Sequence, residues 1–158
     1  MIAWFVSSSS ISRLLLITCV AMVVTGCSSA HYEGGFSDGG YHGQGKLTSS
    51  DREVYVGDFV NGLKQGLGSQ THPNGDRYVG EWQANRKEGL GSISFNNGDR
   101  YVGEFKEDKF SGIGILIWAN GDKYFGEFSN GKLNGYGTFT SSMGKVFTGK
   151  FKDDQPLE

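Results

Sequence analysis

The most informative segment of the sequence reads Tyr78-Val79-Gly80-Glu81-Trp82 and continues, six residues later, with Gly89-Leu90-Gly91. This spacing of two aromatic residues, a glycine and a Gly-x-Gly pair returns every 23 residues without an insertion. We number as position one the residue that opens each unit: Tyr32, Tyr55, Tyr78, Tyr101, Tyr124 and Phe147. Five whole units and a partial one at 147 therefore fill residues 32–158. A repeat of this length indicates an array in which each unit completes its core with its neighbours.

Two turn signals per unit predict that each unit is a β-hairpin. Asn61-Gly62 closes the first strand of its unit, and Asn97-Gly98 closes a second strand. Such pairs supply the positive φ angles that type I′ turns require. Where the first turn lacks glycine, Asn85 and Asp108 stand in its place, and these residue types tolerate the left-handed conformation. We therefore expect type I′ turns at both ends of the hairpins.

Alternation within the first strand sorts its side chains onto two faces. Tyr101, Gly103 and Phe105 share one face, and Val102 and Glu104 share the other. Repeated along the array, the first set makes two columns of rings, and aromatic residues of this size can replace a conventional core. The glycines between them leave space for the rings to lie over the backbone. The sequence therefore predicts an all-β protein, a single-layer antiparallel meander of repeated hairpins.

The repeat Tyr-x-Gly-x-(Phe/Trp)-x6-Gly-x-Gly closely resembles the MORN repeat (membrane occupation and recognition nexus). The resemblance covers residues 32–158, and its clearest copy is the segment that begins at Tyr78. It implies a single-layer sheet of successive hairpins. It also implies a role in binding or scaffolding rather than catalysis.

The first 26 residues have the parts of a secretory signal. Arg13 precedes an apolar run over residues 14–24, which is shorter than the ~20 residues that span a bilayer. The run ends in Val24-Thr25-Gly26-Cys27, which resembles the bacterial lipobox. This resemblance implies cleavage after Gly26 and lipidation of Cys27, with residues 27–31 as a short linker. The alternative is a buried apolar helix that ends at an ordinary cysteine.

The lipobox resemblance also implies a location in the bacterial cell envelope. Cys19 lies in the segment that would be removed and Cys27 would carry lipid, so the mature chain would keep no free thiol. Ser28 follows the lipidated cysteine, whereas an aspartate there often signals inner-membrane retention in Gram-negative lipoproteins. We therefore expect a lipid-anchored protein at the periplasmic face of the outer membrane.

The charges argue against nucleic acid as a partner and do not favour direct binding to anionic lipid. The chain has 15 Lys and Arg against 17 Asp and Glu, a formal charge of −2, whereas nucleic-acid-binding domains carry strong basic patches. Arg77, Arg100 and Lys123 form a basic row, but Glu81 and Glu104 lie on the same face. A mixed-sign row of this kind is usually a solvated face.

Catalytic and metal signatures are absent from the sequence. His31, His42 and His72 have neither zinc-binding spacing nor a partner cysteine, and no nucleophile elbow or phosphate-binding loop occurs. The sequence therefore predicts no catalytic residue, cofactor or metal, and a protein that is not an enzyme.

The aromatic residues outside the repeat template are the candidates for a binding patch. Phe95 and Trp118 occupy position eighteen in adjacent units, and Phe110 lies between them in sequence. Such an apolar patch is typical of a partner surface, and its alternative is additional packing in the central units.

Together these observations predict a non-catalytic, membrane-anchored envelope lipoprotein whose rigid sheet is a protein-interaction or scaffolding surface. Binding of phospholipid headgroups or of an envelope polymer is the alternative. A hydrolase acting on envelope polymers is a third hypothesis, and it requires titratable residues that converge in a cleft.

Overall fold

A computed structural model describes residues 30–157 and contains one antiparallel sheet of twelve strands. The strands are β1 (His31–Ser37), β2 (Gly40–Thr48), β3 (Val54–Val60), β4 (Leu63–Thr71), β5 (Arg77–Gln83), β6 (Arg86–Ser94), β7 (Arg100–Lys106), β8 (Lys109–Ile117), β9 (Lys123–Ser129), β10 (Lys132–Thr140), β11 (Val146–Lys152) and β12 (Gln155–Pro156). Their order in the sheet is their order in the chain. The predicted all-β meander with its period of 23 is confirmed.

The N-terminal segment lies outside the described residues. Cleavage after Gly26 and lipidation of Cys27 therefore remain predictions. Across residues 30–157, no helix has the length and apolar character needed to cross a bilayer.

The core is the predicted pair of ring columns, which we call the aromatic face of the sheet. Tyr78, Tyr101 and Tyr124 are fully buried, and the rings at position five are nearly so from the second unit onwards. Neighbouring rings meet edge to face: the Tyr101 ring centroid lies 5.2 Å from that of Phe105 and 5.0 Å from that of Phe128. This geometry places the positive edge of one ring on the negative face of the next.

Burial of the rings depends on a unit on either side. Phe36 has position five in the first unit and is 65% exposed, whereas the equivalent Phe105 is 3% exposed. Phe147, at position one of the last unit, is 37% exposed. Among the described residues, Phe36 has no preceding unit and Phe147 no complete following unit. The two ends of the array are therefore its least buried parts.

Glycine is required where the tyrosine ring lies flat on the backbone. A Cβ on Gly103 would lie 2.5 Å from the Tyr101 hydroxyl oxygen and 2.6 Å from the Cα of Gly114 on the paired strand. The Tyr101 hydroxyl donates a hydrogen bond to the Glu104 carbonyl (2.8 Å). Burial raises the pKa of Tyr101 to about 12, so this hydroxyl stays a hydrogen-bond donor at neutral pH.

The turn that follows each first strand is the predicted type I′. In Asn61-Gly62 the φ angles are 50° and 80°, and both central residues are positive in all six such turns. Asn85 does replace glycine, with φ of 70°. Its side-chain oxygen also accepts the backbone N–H of Lys64 in the preceding unit (2.8 Å). The first turns are therefore tied to each other along the sheet.

The prediction of type I′ geometry was wrong for the turns that follow the second strands. In the loop over residues 95–99, only Gly98 has positive φ (96°), and Asn97 does not. The Gly98 N–H donates to the Phe95 carbonyl at 3.0 Å, and the Phe95 N–H donates to the Asp99 carbonyl at 2.9 Å. Five residues separate the paired strands, and loops of this length are built around a turn that ends in one left-handed residue.

One of these loops has an arginine where the others have glycine, which leads to a stability prediction. Arg52 has φ of 70°, in the position that Gly75 and Gly144 occupy in other units. A left-handed backbone conformation costs a residue with a side chain roughly 1–2 kcal/mol, and glycine avoids this cost. Part of the benefit is offset because glycine loses more conformational entropy on folding than other residues do. We expect Arg52→Gly to raise the free energy of unfolding by about 0.5–1 kcal/mol in urea titrations. Gly144→Ala, at a site with open space around it, should lower the same quantity; an unchanged midpoint in both variants would contradict this account.

The second turns are joined by a ladder of carboxylates. The Asp76 side chain accepts the Asn96 backbone N–H of the next turn at 2.8 Å, and Asp122 accepts that of Ser142 at 2.7 Å. Asn74 contributes a further bond to Asp76 at 2.9 Å. These bonds hold the pKa of both carboxyls below the ordinary value of aspartic acid. The Asn-Gly-Asp runs therefore have the turn chemistry expected for them.

This ladder predicts an acid-sensitive sheet. Because the folded pKa of Asp76 and Asp122 lies below the unfolded value, their contribution to stability is present above about pH 4 and is lost as pH falls through the folded pKa. The double variant Asp76→Asn/Asp122→Asn keeps a side-chain acceptor that does not titrate. Its melting temperature should therefore fall less than that of the wild type between about pH 5 and pH 2. If the melting temperatures of the variant and the wild type fell equally over that pH range, the ladder would be excluded as a cause of acid unfolding.

Candidate binding surfaces

The structure places the three predicted patch residues in two different contacts. Phe110 stacks on the buried Tyr101 ring, with centroids 3.8 Å apart and an interplanar angle of 13°. Phe95 lies 6.5 Å from Phe110, whereas Trp118 packs against Phe139 at 5.9 Å. Phe110 therefore covers the core, and Trp118 belongs to a separate surface. A binding role for the three remains a prediction.

Trp118 lines an apolar groove at the C-terminal end of the aromatic face. The groove has a volume of about 480 Å³. Its lining is almost entirely apolar and consists of Leu116, Trp118, Leu133, Phe139, Phe147, Phe151, Asp154 and Pro156. Of these residues, sequence reasoning placed only Trp118 in a binding patch, and we call the whole site the C-terminal groove.

The groove exists because the residue at position ten is small in the last two units. At this position Tyr41 stacks on Tyr32, with centroids 3.9 Å apart, much as Phe110 covers Tyr101. The fifth and sixth units have Leu133 and Pro156 instead. Neither side chain fills the volume of an aromatic ring, and the space above Phe147 and Phe151 stays open.

In the second unit, a polar cluster covers the core on the aromatic face, where the fourth unit has Phe110. The Lys64 ammonium donates to Glu53 at 3.2 Å and to Gln70 at 2.7 Å, and it lies 4.8 Å from the Trp82 ring centroid. His72 Nδ1 lies 3.0 Å from the second oxygen of Glu53. Lys64, Gln70 and His72 take the positions that Phe110, Leu116 and Trp118 occupy in the fourth unit. The aromatic face is thus polar in the second unit and apolar in the fourth.

The opposite face of the sheet, which includes the side chains at positions two and four, has exposed apolar side chains in both halves, such as Val56 and Leu67 in the second unit. Ile115 pairs with Val102 and with Phe125 on its two neighbouring strands. Phe125 and Tyr136 are 57% and 60% exposed. The second unit has the smaller Val56 at position two. The exposed apolar side chains on this face are therefore larger in the C-terminal half.

The acidic residues at position four have a structural role that alternation alone does not predict. Each of the five complete hairpins has a β-bulge next to this position, as between Gly103 and Glu104. The Glu104 carboxylate accepts the Ile113 N–H at 3.0 Å, and Gly112, with φ of 54°, leaves the space for it. The same bond recurs with Asp58, Glu81 and Glu127.

The basic row is left without these carboxylates as partners. Within residues 30–157, Arg77, Arg100 and Lys123 have no carboxylate within 4.0 Å. The position-four side chains on the same strands turn towards the bulges instead. The row is therefore a line of exposed cations along one edge of the opposite face.

Titratable residues do not gather into a metal site in the described part of the chain. No group of three His, Cys, Asp or Glu side chains there is placed to hold a metal ion. His31 lies 3.1 Å from Glu33, and His72 belongs to the polar cluster. The buried tyrosines are held as donors to backbone carbonyls.

Fold and surfaces together define a β-hairpin repeat protein with extended exposed faces. The MORN repeat model matches five consecutive segments, residues 32–54, 55–77, 78–100, 101–123 and 124–146. The chain belongs to the MORN repeat family, whose repeats act as protein or membrane interaction modules and are generally non-catalytic. The sixth unit at 147 lies outside the matched segments and continues the sheet as β11 and β12.

No curated protein matches the sequence. Among solved structures, the SAS-4 (dCPAP) TCP domain in complex with a proline-rich motif of Ana2 (dSTIL), from Drosophila melanogaster, is similar at 12% identity. The match covers 73% of this chain and 75% of that chain with a TM-score of 0.37, which is too low to bear on function.

Proposed function

We propose that this protein is a non-catalytic, membrane-anchored lipoprotein of the bacterial cell envelope whose sheet binds another protein. The supporting observation is the asymmetry of the array. Positions that are polar in the second unit, at Lys64 and His72, are apolar in the fourth, at Phe110 and Trp118. A rigid sheet loses little conformational entropy on binding, so a preformed apolar surface of this kind suits a protein partner.

The proposed anchor is a lipid on Cys27. Only residues 28–31 separate this cysteine from Tyr32, and at ~3.5 Å per residue the sheet would begin within about 15 Å of the membrane. Attached acyl chains contribute ~0.8 kcal/mol per buried CH₂, so two or more hold a protein firmly. The protein would thus act close to the bilayer, at the periplasmic face of the outer membrane.

The anchor is tested with Cys27→Ser. Acyl labelling should disappear, and the protein should leave the membrane fraction. The matched control is Cys19→Ser, which lies in the segment that would be removed and should change neither result. Retention of Cys27→Ser in membranes would overturn the lipoprotein proposal.

The binding surface is tested by photo-crosslinking in envelopes. A photoreactive residue at Phe125 or Tyr136 should give one discrete adduct, since both positions have large, exposed rings. Val56 and Leu67 occupy the same repeat positions in the second unit and are also exposed, so they are the matched controls. Equal adducts at all four sites, or none, would contradict a partner that selects the C-terminal half.

A second candidate function is recognition of anionic phospholipid headgroups by the basic row. The observation that favours it is the lack of carboxylate partners for Arg77, Arg100 and Lys123 within residues 30–157. Each such residue contributes ~1 kcal/mol near an anionic surface. Flotation of the Cys27→Ser protein with vesicles rich in anionic lipid would then depend on salt and on these three residues. Absence of flotation would leave protein binding as the function.

A further inference from the structure

The opposite face presents the same pair of exposed apolar side chains in each of four consecutive hairpins. One side chain lies at position two, and the other lies at position thirteen, one strand further along the sheet. In the third unit these are Val79 on β5 and Leu90 on β6, and both are exposed. The other exposed members of the set are Val56, Leu67, Val102, Ile113, Phe125 and Tyr136. The set therefore alternates between two lines that run across the strands.

The spacing of these side chains matches the heptad of an α-helix. Leu90 lies one strand beyond Val79, and Val102 lies one strand beyond Leu90. The three are thus offset by ~4.8 and ~9.6 Å across the sheet. In a heptad lettered a to g, residue d and the next residue a follow the first a by ~4.5 and ~10.5 Å. A helix that lies across the strands therefore places one heptad on each hairpin.

Cations flank the two apolar lines on both sides. Arg100, with the rest of the basic row, lies at the margin next to the second turns. Lys106 and Lys109 pair in register at the margin next to the first turns. Within residues 30–157, these two lysines also have no carboxylate within 4.0 Å. Arg100 and Lys106 are ~20 Å apart along β7, a gap that holds one helix of ~10–12 Å diameter and its flanking side chains.

The carboxylates next to these cations in sequence are directed into the turns. Asp99 precedes Arg100 and accepts a backbone N–H of the next second turn at 2.8 Å. Asp108 precedes Lys109 and accepts a backbone N–H of the preceding unit at 2.9 Å. The cations at the margins are therefore left for an acidic occupant.

The two basic margins argue against a second copy as the occupant. Two sheets that meet about a two-fold axis parallel to the strands bring one basic row against the other. An axis across the strands brings the basic row of one copy against Lys106 and Lys109 of its partner. Like charges meet in both arrangements, which is unfavourable. An anionic membrane also fits less well, because Glu81 and Glu104 lie among the apolar side chains and would face its phosphates.

We propose that the opposite face over β5–β10 binds an acidic amphipathic α-helix of a partner protein, and that this helix lies across the strands. Its residues a and d contact the apolar side chains at positions two and thirteen, and acidic residues at e and g reach the two basic margins. Six strands at ~4.8 Å span about 29 Å, the length of about 20 helical residues or three heptads. This inference rests on the proposed protein-binding function and states the chemistry of the partner.

The test uses a labelled peptide of three identical heptads, Leu-Ala-Gln-Leu-Glu-Ala-Glu, which has leucine at a and d and glutamate at e and g. Repulsion between these glutamates disfavours pairing of the peptide with itself. Binding to the full chain with Cys27→Ser is followed by fluorescence anisotropy. We expect saturable binding, weakened at least tenfold when lysine replaces every glutamate. Proline at position b of the middle heptad, which breaks the helix, should weaken binding to a similar degree.

Charge variants of the protein test the basic margin. Arg77→Glu/Arg100→Glu should weaken binding of the glutamate peptide at least tenfold. Lys46→Glu/Lys145→Glu is the matched control, because it changes the net charge equally at exposed or partly exposed sites outside β5–β10. Equal binding by both double variants would overturn the proposal.

Apolar variants test the centre of the site. Val102→Ser, on β7, should weaken binding at least threefold. Val56→Ser is the matched control, because Val56 is the same residue at the same repeat position and is similarly exposed, but it lies on β3. Equal binding by these two variants, equal binding of the glutamate and lysine peptides, or no binding at millimolar peptide would each overturn the proposal.

Other occupants give different results. Flotation with phosphatidylglycerol vesicles that Arg77→Glu/Arg100→Glu abolishes, without peptide binding, would assign the face to a membrane and overturn the proposal. A concentration-dependent dimer in sedimentation that Val102→Ser weakens would assign it to a second copy. Crosslinks at Phe125 and Tyr136 without peptide binding would retain the protein-binding function and reject a helical partner. Peptide binding without envelope crosslinks would retain the helix site and reject the proposed function.

Discussion

Phe105→Ala will lower the free energy of unfolding by about 3–5 kcal/mol, the usual cost of truncating a buried ring. Phe105 is 3% exposed, and its ring meets the edges or faces of Tyr78 and Tyr101 at centroid distances of 5.0 and 5.2 Å. Removal of the ring leaves a cavity in a sheet that has no second layer to collapse into it. The melting temperature followed by circular dichroism should fall by roughly 10–20 °C.

The chain contains a matched control for this effect. Phe36 is the same residue at the same repeat position, but it is 65% exposed. Phe36→Ala should cost less than about 1 kcal/mol. If both variants lose the same stability, the ring columns do not act as the core.

Gly103→Ala is expected to cost about 2–3 kcal/mol, because the added methyl group enters a space already occupied. Its Cβ would lie 2.5 Å from the Tyr101 hydroxyl oxygen, 2.6 Å from the Cα of Gly114 and 2.7 Å from the Ile113 carbonyl oxygen. The backbone of the paired strand has to move, and the hydroxyl bond to Glu104 is broken or lengthened. Urea unfolding measures the loss.

Gly149→Ala is the corresponding control at the last unit. The three atoms nearest to its Cβ would all belong to the ring of Phe147, the closest at 2.8 Å, and that ring is 37% exposed. We expect a loss of under about 1 kcal/mol. A loss as large as that of Gly103→Ala would mean that glycine is needed there for another reason than the tyrosine ring.

The fold was largely predictable because each unit repeats the same local pattern of aromatic, glycine and turn residues. Period-two alternation assigned Tyr101 and Val102 to opposite faces, and Asn-Gly pairs such as Asn61-Gly62 located the first turns. Alternation, however, predicts the face on which a side chain lies and not its hydrogen bonds. The type of the second turns was predicted wrongly for a different reason: loop length, rather than the Asn-Gly pair, determines the turn type there.

The site was only partly predictable, because it depends on differences between units and not on the repeat. Trp118 was recognised as an aromatic residue outside the template, but the groove arises from the small size of Leu133 and Pro156 at position ten. The space above the core at these two units can be recognised only once Phe110, at the same position, is seen to stack on Tyr101. The carboxylate at four of the five bulges did leave a signal: an acidic residue recurs eight residues before a glycine, as in Glu104 and Gly112.

Each strand of this sheet packs mainly on the strands that adjoin it in sequence. The loop that must close for each new strand is therefore short, and it stays the same length however many units the array contains. Such a topology has a low contact order, so the chain can fold hairpin by hairpin from whichever end is first available. A polypeptide that emerges gradually, from a ribosome or through a membrane pore, has no need to wait for its last residue before it begins to order.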